Sequence, residues 1–215
     1  MVRSKILENI KGIDHYFFNG LESTSKTVVN LLKESYSCQQ VHNNRISKVQ
    51  SKKFYSDCDG LIADKKSTIV IRSADCLPIF LFERDRKIIT ALHAGWRGLL
   101  CGIINNYCKM TKVHGDMRKV YAGIGPHIGI CCYKVKKPVI DSFSKLTDNI
   151  KQLYQVRQNS FFLDLGAVAK YQMMKVGIPL ENIEDTDICT NCSESYFSYR
   201  RDKSEKRNYS FLSLQ

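Results

Sequence analysis

Three side chains that can bind a metal stand in short, distinctive segments of the sequence. His42 ends the run QVH, Cys76 lies within ADCLP, and His93 opens HAGWRG. Imidazole nitrogen and thiolate sulfur are ligands that Zn²⁺ favours, and three protein ligands leave a fourth position open. The trio therefore predicts a catalytic zinc site that activates water at neutral pH, and Cu²⁺ would also bind such ligands in vitro.

A predicted β-hairpin positions two of these residues. Leu77–Phe82 and Lys87–Leu92 are typical of strands, and the polar segment Glu83–Arg86 between them is typical of a turn. A turn centred in the middle of that segment would place Cys76 directly opposite His93, with Cβ atoms about 4.5–5.5 Å apart. Without a metal, the same pair suits a cysteine hydrolase with Cys76 as nucleophile and His93 as base, so this alternative stays open.

The other periodic segments predict a mixed α/β or α+β fold. Strands are predicted over Ser67–Ser73 and Lys119–Ile124, and helices over Thr27–Ser35, Gly98–Lys112, Pro138–Leu146 and Leu165–Val176. Hairpin-linked strands argue against an open, wholly parallel sheet. No proline-rich linker or repeat divides the chain, so we expect one domain over residues 1–215.

Arginine side chains are the candidates for binding substrate. Arg97 precedes a predicted helix, where a guanidinium and free backbone N–H groups suit a phosphate. Arg200 and Arg201 form a pair after an aromatic segment, and Arg45 follows His42 closely. Beside the trio, Asp75 is interpreted either as a proton shuttle or as an acceptor that orients His42 or His93.

Charge and composition limit the classes of partner. The net charge of +12 is compatible with anionic partners, but basic residues spread along the chain are more typical of a lysine-rich surface. No RNA-binding aromatic motif or helix-turn-helix is evident, so a nucleic acid is not expected. No apolar run reaches the length of a membrane span, and no secretory signal opens the chain. We expect a cytoplasmic protein, as a monomer or homodimer.

The nine cysteines indicate reduced thiols rather than a disulfide framework, because their number is odd and no export signal is present. Cys189 and Cys192 have the CxxC spacing of a metal site. A structural zinc site needs two more ligands, and no second CxxC exists in the sequence. The role of this pair stays open.

Taken together, the motifs resemble the YfiH family, also called the laccase-domain or multicopper polyphenol oxidase-like family, whose members are treated as purine nucleoside phosphorylases. The resemblance covers roughly residues 15 to 214, through the segments QVH (40–42), DGL (59–61), ADCLP (74–78), HAGWRG (93–98), IGP (124–126), CCY (131–133), DL (164–165), DICT (187–190) and FSYRRD (197–202). Glu205-Lys206-Arg207 replaces a Thr-Gly-Arg segment of the family, and His127 stands where a small residue is common. Both differences bear on the shape of the substrate pocket.

The resemblance implies a layered α/β/β/α sandwich in which His42, Cys76 and His93 hold the metal. It also implies phosphorolysis of adenosine, inosine and methylthioadenosine, and deamination of adenosine, with purine nucleosides and phosphate as substrates. Copper-dependent oxidation of phenols is an alternative. A true multicopper oxidase is disfavoured, because it needs more histidine ligands than the five in this chain.

Overall fold

The computed structural model describes residues 1–112, 116–146 and 150–215, which form both strands and helices. The strands are β1 Ile13–Phe17, β2 Ser37–Cys38, β3 Ile46–Lys48, β4 Phe54–Tyr55, β5 Gly60–Ala63, β6 Ser67–Ser73, β7 Leu77–Glu83, β8 Ile88–Ala94, β9 Val120–Ile124, β10 Lys134–Val135, β11 Tyr154–Arg157, β12 Ser160–Leu163, β13 Ile183–Asp185 and β14 Asn208–Leu214. The helices are α1 Lys5–Glu8, α2 Lys26–Glu34, α3 Trp96–Leu100, α4 Ile103–Lys112, α5 Lys137–Ser144, α6 Leu165–Lys175 and α7 Tyr199–Asp202, with 3₁₀ turns at Met117–Lys119, Ile150–Gln152 and Leu180–Asn182.

Two sheets form the centre of the molecule. One has six strands in the order β13-β9-β7-β8-β5-β3, and the other has three in the order β1-β14-β6. Smaller sheets join β10, β12 and β11, and β2 with β4. The six-stranded sheet is mixed, since β13–β9 and β3–β5 are parallel pairs while β7 runs antiparallel to both neighbours.

Every residue of β7 is buried, because both faces of the six-stranded sheet are covered. Leu77 and Ile79 point to one face and belong to an apolar core shared with α4 and α6. Phe80 and Phe82 point to the other face and pack between the two sheets, together with residues such as Leu212 of β14. The alternation of side chains along one strand thus builds two cores.

The outer face of the three-stranded sheet is covered by α2. Val28 of this helix is fully buried against Val70 and Phe211. The order of layers is therefore helix, sheet, sheet, helices, which confirms the predicted mixed fold and its α/β/β/α layering. Within the described residues, no helix has both the length and the apolar character needed to cross a bilayer.

The predicted register of the β7–β8 hairpin is wrong by two residues. Pro78, not Cys76, pairs with His93. Glu83 stays in the strand, and its carboxylate accepts the N–H groups of Asp85 at 3.0 Å and Arg86 at 3.2 Å, so the turn is centred one residue later than expected. Because the shift is even, Cys76 and His93 keep to the same side of the hairpin.

The predicted helix over Gly98–Lys112 is two helices. Gly102, with a φ of +81°, separates α3 from α4, and this left-handed conformation favours glycine. The other predicted helices and strands are present, with ends displaced by one or two residues. Gly177, with a φ of +100°, follows the end of α6 as the sequence predicts.

Candidate metal centre and substrate cavity

Three separate segments bring the predicted metal ligands together. His42 lies in the loop after β2, Cys76 immediately precedes β7, and His93 lies near the end of β8. Their ligand atoms all lie within 4.8 Å of one another. Cys76 Sγ is 3.9 Å from His42 Nε2, and the two imidazole rings meet edge to face with centroids 4.8 Å apart. This is a donor set that a single tetrahedral Zn²⁺ can use.

A fully buried carboxylate, Asp59, holds both histidines. Asp59 directly precedes β5, which pairs with β8, and its Oδ1 accepts the Nδ1–H of His93 at 2.8 Å. The same oxygen accepts the main-chain N–H of His42 at 2.9 Å, while Oδ2 accepts the N–H groups of Val41 and Asn43. These bonds stabilise the loop at His42, where φ is +63°. They also leave Nε2 of His93 as the ring nitrogen available to a metal.

The charges at the trio favour an ionised thiol. Burial opposes ionisation of Cys76, but the charge of His93 and hydrogen bonds from both histidines outweigh it and lower the pKa of Cys76 to about 6. Burial likewise opposes protonation of His93, but the Cys76 thiolate and Asp59 outweigh it and raise the pKa of His93 to about 9. For Asp59, hydrogen bonds from His93 and the loop N–H groups outweigh burial and hold the carboxyl pKa below its usual value. The site therefore concentrates negative charge that a cation can neutralise.

The backbone beside the trio leaves no space for a side chain. A Cβ atom on Gly95 would lie 2.8 Å from Cys76 Sγ and 3.4 Å from His42 Cδ2. The φ of −78° at Gly95 is accessible to any residue. Glycine is therefore needed here because Cys76 and His42 lie close to the backbone, and not because of an unusual conformation.

The trio lies at the wall of a cavity of about 690 Å³. That volume is within the range of about 300–1,000 Å³ that is typical of small-molecule sites. The lining is polar and rich in arginine, and consists of Gln39, Gln40, His42, Arg72, Ser73, Ala74, Asp75, Cys76, His93, Trp96, Arg97, Ile128, Tyr133, Tyr199, Arg200, Glu205 and Arg207. Its basic side chains outnumber its acidic ones, so the cavity suits an anionic group.

Two of the predicted substrate-binding arginines line this cavity. The Arg97 guanidinium lies over the Trp96 ring, with Cζ 4.5 Å from the ring centroid. The Arg200 guanidinium lies 5.1 Å from the centroid of Tyr133, and its Nη1 donates to the Lys134 carbonyl at 3.0 Å. Aromatic contact therefore fixes both guanidinium groups at the cavity wall.

The structure places the other two predicted arginines elsewhere. Arg45 is exposed and forms an ion pair with Asp57. Arg201 donates to the carbonyl oxygens of Thr190 and Tyr196, among others, and so holds the loop that precedes α7. Neither residue belongs to the cavity lining.

One interpretation of the sequence assigned Asp75 the role of orienting His42 or His93, but its carboxylate binds other groups. Its Oδ1 accepts the Thr190 hydroxyl at 2.7 Å, and its Oδ2 accepts the Arg200 main-chain N–H at 2.6 Å. Asp75 therefore joins the segment before β7 to the loop of Thr190 and to the first turn of α7, which carries Arg200. Its predicted role as a proton shuttle stays a prediction.

Sequence reasoning did not assign Asp59, Arg72 or Arg207 to the site. Asp59 stands in a matched family segment, DGL, which is the only sequence signal for it. Arg72 lies near the end of β6 and Arg207 immediately precedes β14, and because these strands pair, both residues reach the cavity. Of the two positions that differ from the family pattern, 205–207 contributes to the lining, whereas His127 lies outside it.

Comparison with known proteins decides the family. Residues 22–215 match the sequence profile of the family described as multi-copper polyphenol oxidoreductase laccase. The chain belongs to this laccase-domain family. The resemblance seen in the sequence motifs is therefore confirmed.

Relatives and solved structures of laccase-domain proteins agree with this assignment. The purine nucleoside phosphorylase YlmD of Geobacillus stearothermophilus is 31% identical over 182 residues, 77% of this chain and 66% of that protein. A purine nucleoside phosphorylase of Clostridium acetobutylicum is 30% identical over 95% of this chain and 98% of its own length. The crystal structure of Geobacillus stearothermophilus YlmD superimposes with a TM-score of 0.82 at 27% identity, covering 90% of this chain and 78% of that one. The hypothetical protein YfiH of Bacillus licheniformis gives a TM-score of 0.81 at 29% identity, covering 88% and 79%.

Proposed function

We propose that this chain is a zinc-dependent purine nucleoside enzyme that phosphorolyses adenosine, inosine and methylthioadenosine and deaminates adenosine. The observation that carries the proposal is the meeting of His42, Cys76 and His93 at the wall of a cavity lined with arginine. Relatives covering most of this chain carry the name purine nucleoside phosphorylase. The two lines of support are independent, since one is chemical and the other evolutionary.

The donor set fits zinc. Two imidazoles and one thiolate are ligands of catalytic zinc sites, and Asp59 bound to His93 Nδ1 supplies the carboxylate–histidine contact typical of such sites. When bound there, zinc supplies Lewis-acid chemistry and lowers the pKa of water. The protein's own contribution is to hold Nε2 of His93 and Sγ of Cys76 toward the same point.

Phosphorolysis needs phosphate held beside the C1′ carbon of the ribose. Arg97 lies in α3 and Arg200 lies in α7, and both line the cavity. Their guanidinium groups are suited to bidentate binding of phosphate. Arg72 and Arg207 add positive charge from the β6–β14 side of the cavity. The attacking phosphate oxygen forms the C1′–O bond as the C1′–N9 bond breaks, which gives ribose 1-phosphate and the free base.

Deamination of adenosine replaces the C6 amino group with an oxygen from water and releases ammonia. A side chain that accepts and releases a proton is needed to carry it from the attacking water to the leaving nitrogen. Asp75 is the candidate, because it lines the cavity next to Cys76. Its two hydrogen bonds to Thr190 and Arg200 hold its carboxylate in one orientation.

The direct test follows the products from adenosine with and without phosphate, on protein whose zinc content has been measured by mass spectrometry. We expect adenine and ribose 1-phosphate only when phosphate is present, and inosine without it. Inosine and methylthioadenosine, supplied separately, should each yield a free base and the corresponding sugar phosphate. Protein with a full complement of zinc that leaves all three nucleosides unchanged would contradict the proposal.

Matched variants test the ligand assignment. Cys76→Ala and His93→Ala should each abolish turnover and remove the zinc of this site. Cys101→Ala, at an exposed thiol outside the trio, is the control and should keep both. Full turnover with retained zinc in either trio variant would overturn the assignment.

A second candidate function, a cysteine hydrolase, is favoured by the proximity of Cys76 and His93, whose sulfur and ring nitrogen lie within 4.8 Å of one another. The pKa of Cys76 is lowered to about 6 beside His93, whose pKa is raised to about 9, and such a thiolate–imidazolium pair is a nucleophile with its acid. This candidate predicts that chelation of zinc preserves or increases hydrolysis of an amide or ester. The zinc-dependent candidate predicts that chelation removes all turnover. Oxidation of a phenol after loading with Cu²⁺ would instead favour the oxidase named in the family description.

A further inference from the structure

Four cysteines from two distant parts of the chain meet on the surface of the molecule. Cys131 and Cys132 lie in the turn after β9, and Cys189 and Cys192 lie in the loop after β13. Their Sγ atoms all lie within 4.8 Å of one another. Cys192 Sγ is 3.5 Å from Cys131 Sγ and 3.3 Å from Cys132 Sγ. The CxxC pair seen in the sequence thus has two further thiols beside it.

These four cysteines, here called the thiol cluster, are separate from the His42–Cys76–His93 site. None of the four lines the substrate cavity. Cys131 and Cys189 instead line a smaller recess of about 240 Å³, together with His127 and Asp185. The thiol cluster therefore needs an explanation of its own.

The spacing of the sulfur atoms suits one metal ion. A tetrahedral Zn²⁺ with Zn–S bonds of about 2.3 Å places its sulfur ligands about 3.8 Å apart. The separations of 3.3 Å and 3.5 Å from Cys192 Sγ are slightly shorter than that value, and no two of the four sulfur atoms are more than 4.8 Å apart. A disulfide requires about 2.05 Å, and all nine cysteines of the structure are free thiols. We propose that Cys131, Cys132, Cys189 and Cys192 bind a second, structural Zn²⁺.

The backbone around the thiol cluster is arranged as around a metal–thiolate centre. The Gly129 N–H donates to Cys189 Sγ at 3.2 Å, a contact that stabilises a negatively charged sulfur. A Cβ on Gly129 would lie 3.2 Å from Cys131 Sγ and 3.3 Å from Cys189 Cβ. Glycine at this position lets the turn carrying Cys131 approach the loop carrying Cys189.

The two loops are also joined by backbone hydrogen bonds. His127 N–H donates to the Ile188 carbonyl at 3.1 Å, and Thr190 N–H donates to the His127 carbonyl at 3.0 Å. This short parallel bridge fixes the relative position of the two cysteine pairs. The four ligands are therefore held in place by the fold, which lowers the entropic cost of binding an ion.

A zinc ion here would have four protein ligands and no open position, so its role is structural rather than catalytic. The same loops form one wall of the substrate cavity, through Ile128 and Tyr133 on one loop. On the other loop, the Thr190 hydroxyl donates to Asp75, whose second oxygen accepts the N–H of Arg200. The second zinc would thus hold the wall that carries Arg200, without contacting substrate.

The test counts zinc atoms per chain in protein kept reduced. We expect two zinc ions in the unmodified chain, one in Cys192→Ser, one in His93→Ala, and none in the double variant. Cys101→Ser, at an exposed thiol outside both sites, is the control and should keep two. A single zinc ion in the unmodified chain that survives in Cys192→Ser would overturn the proposal, as would iron in place of zinc. The zinc count does not depend on nucleoside turnover, so its outcome is separate from that of the proposed function.

A second measurement covers the case in which Cys192→Ser fails to fold. Unmodified chain and His93→Ala are stripped with a chelator and titrated with Co²⁺, which takes the place of zinc and absorbs visible light. We expect the strong sulfur-to-cobalt absorption of a four-thiolate site to reach its maximum at one equivalent in His93→Ala. Absence of that absorption in both proteins would overturn the proposal. So would a disulfide among the four cysteines, found by mass spectrometry in protein purified under reducing conditions.

Discussion

Asp59 and His93 are joined by a buried hydrogen bond of 2.8 Å between Oδ1 and Nδ1. The same carboxylate also accepts three main-chain N–H groups of the loop that carries His42. Asp59 therefore sets the orientation of one proposed ligand and the backbone position of another. Asp59 is a positioning residue, because it acts through the two histidines and is not one of the three proposed ligands.

Replacing Asp59 by asparagine should weaken zinc binding at the trio by about 10–100-fold, the usual effect of losing such a supporting carboxylate. The amide keeps one acceptor oxygen, but its NH₂ group faces N–H donors and cannot bind them. Competition with a chelator of known affinity measures the change. Asp57→Asn is the control, since Asp57 is exposed and its carboxylate contacts the exposed Arg45 and the Asn43 side-chain amide. Equal zinc affinity in the two variants would contradict this role of Asp59.

The sequence was sufficient to predict that His42, Cys76 and His93 meet in the fold, and to predict its layers. Each ligand stands in its own distinctive segment, and the strands on either side show clear apolar patterns. The hairpin register was wrong by two residues because Glu83 caps the turn from within the strand, which turn composition alone does not reveal. The error left the trio intact, because an even shift keeps side chains on the same face.

Contacts between distant segments could not be predicted from spacing. Asp59 reaches His93 across 34 positions, and Cys192 reaches Cys132 across 60. The sequence alone offered a CxxC pair without partners, because the two thiols beside it belong to adjacent cysteines in a different loop. Arg45 is close to His42 in sequence, but its side chain pairs with Asp57 outside the cavity.

Gly95→Ala should weaken zinc binding and turnover with little loss of stability. The new Cβ would lie 2.8 Å from Cys76 Sγ, while the φ of −78° accommodates alanine without strain. Gly12→Ala is the matched control, since its φ is +89° and nothing lies within 4 Å of the added Cβ. That control should cost about 1–2 kcal/mol of stability through backbone strain and leave zinc binding unchanged. Thermal unfolding and zinc titration of both variants separate the two effects, and normal zinc affinity in Gly95→Ala would contradict the prediction.

Arg97→Ala should raise the KM for phosphate by about tenfold or more, the usual effect of losing one hydrogen bond to a charged group. Deamination, which uses no phosphate, should change little. Steady-state rates for both reactions with the same adenosine preparation make the comparison. Arg45→Ala is the control and should leave both reactions unchanged, because Arg45 lies outside the cavity. Equal losses of both activities in Arg97→Ala would show that Arg97 acts through its packing on Trp96 instead.

His15 should make the fold less stable in weak acid. It is fully buried, and Ser4 N–H donates to its Nε2 at 2.8 Å. Burial, aided by Arg3 and only partly offset by Asp14 and Glu184, lowers its pKa to about 4. Below the ordinary histidine pKa of about 6.5, His15 therefore takes up a proton in the unfolded chain but not in the folded one. The free energy of unfolding is unaffected above that pH and falls as the pH drops toward 4. Between pH 7.5 and pH 5 the loss should be about 2 kcal/mol more for the unmodified chain than for His15→Gln, measured by urea unfolding of both at each pH. The unmodified chain and His15→Gln keep the same metal ligands, so any effect of metal binding is common to both. Equal losses in the two proteins would show that other groups cause the acid sensitivity.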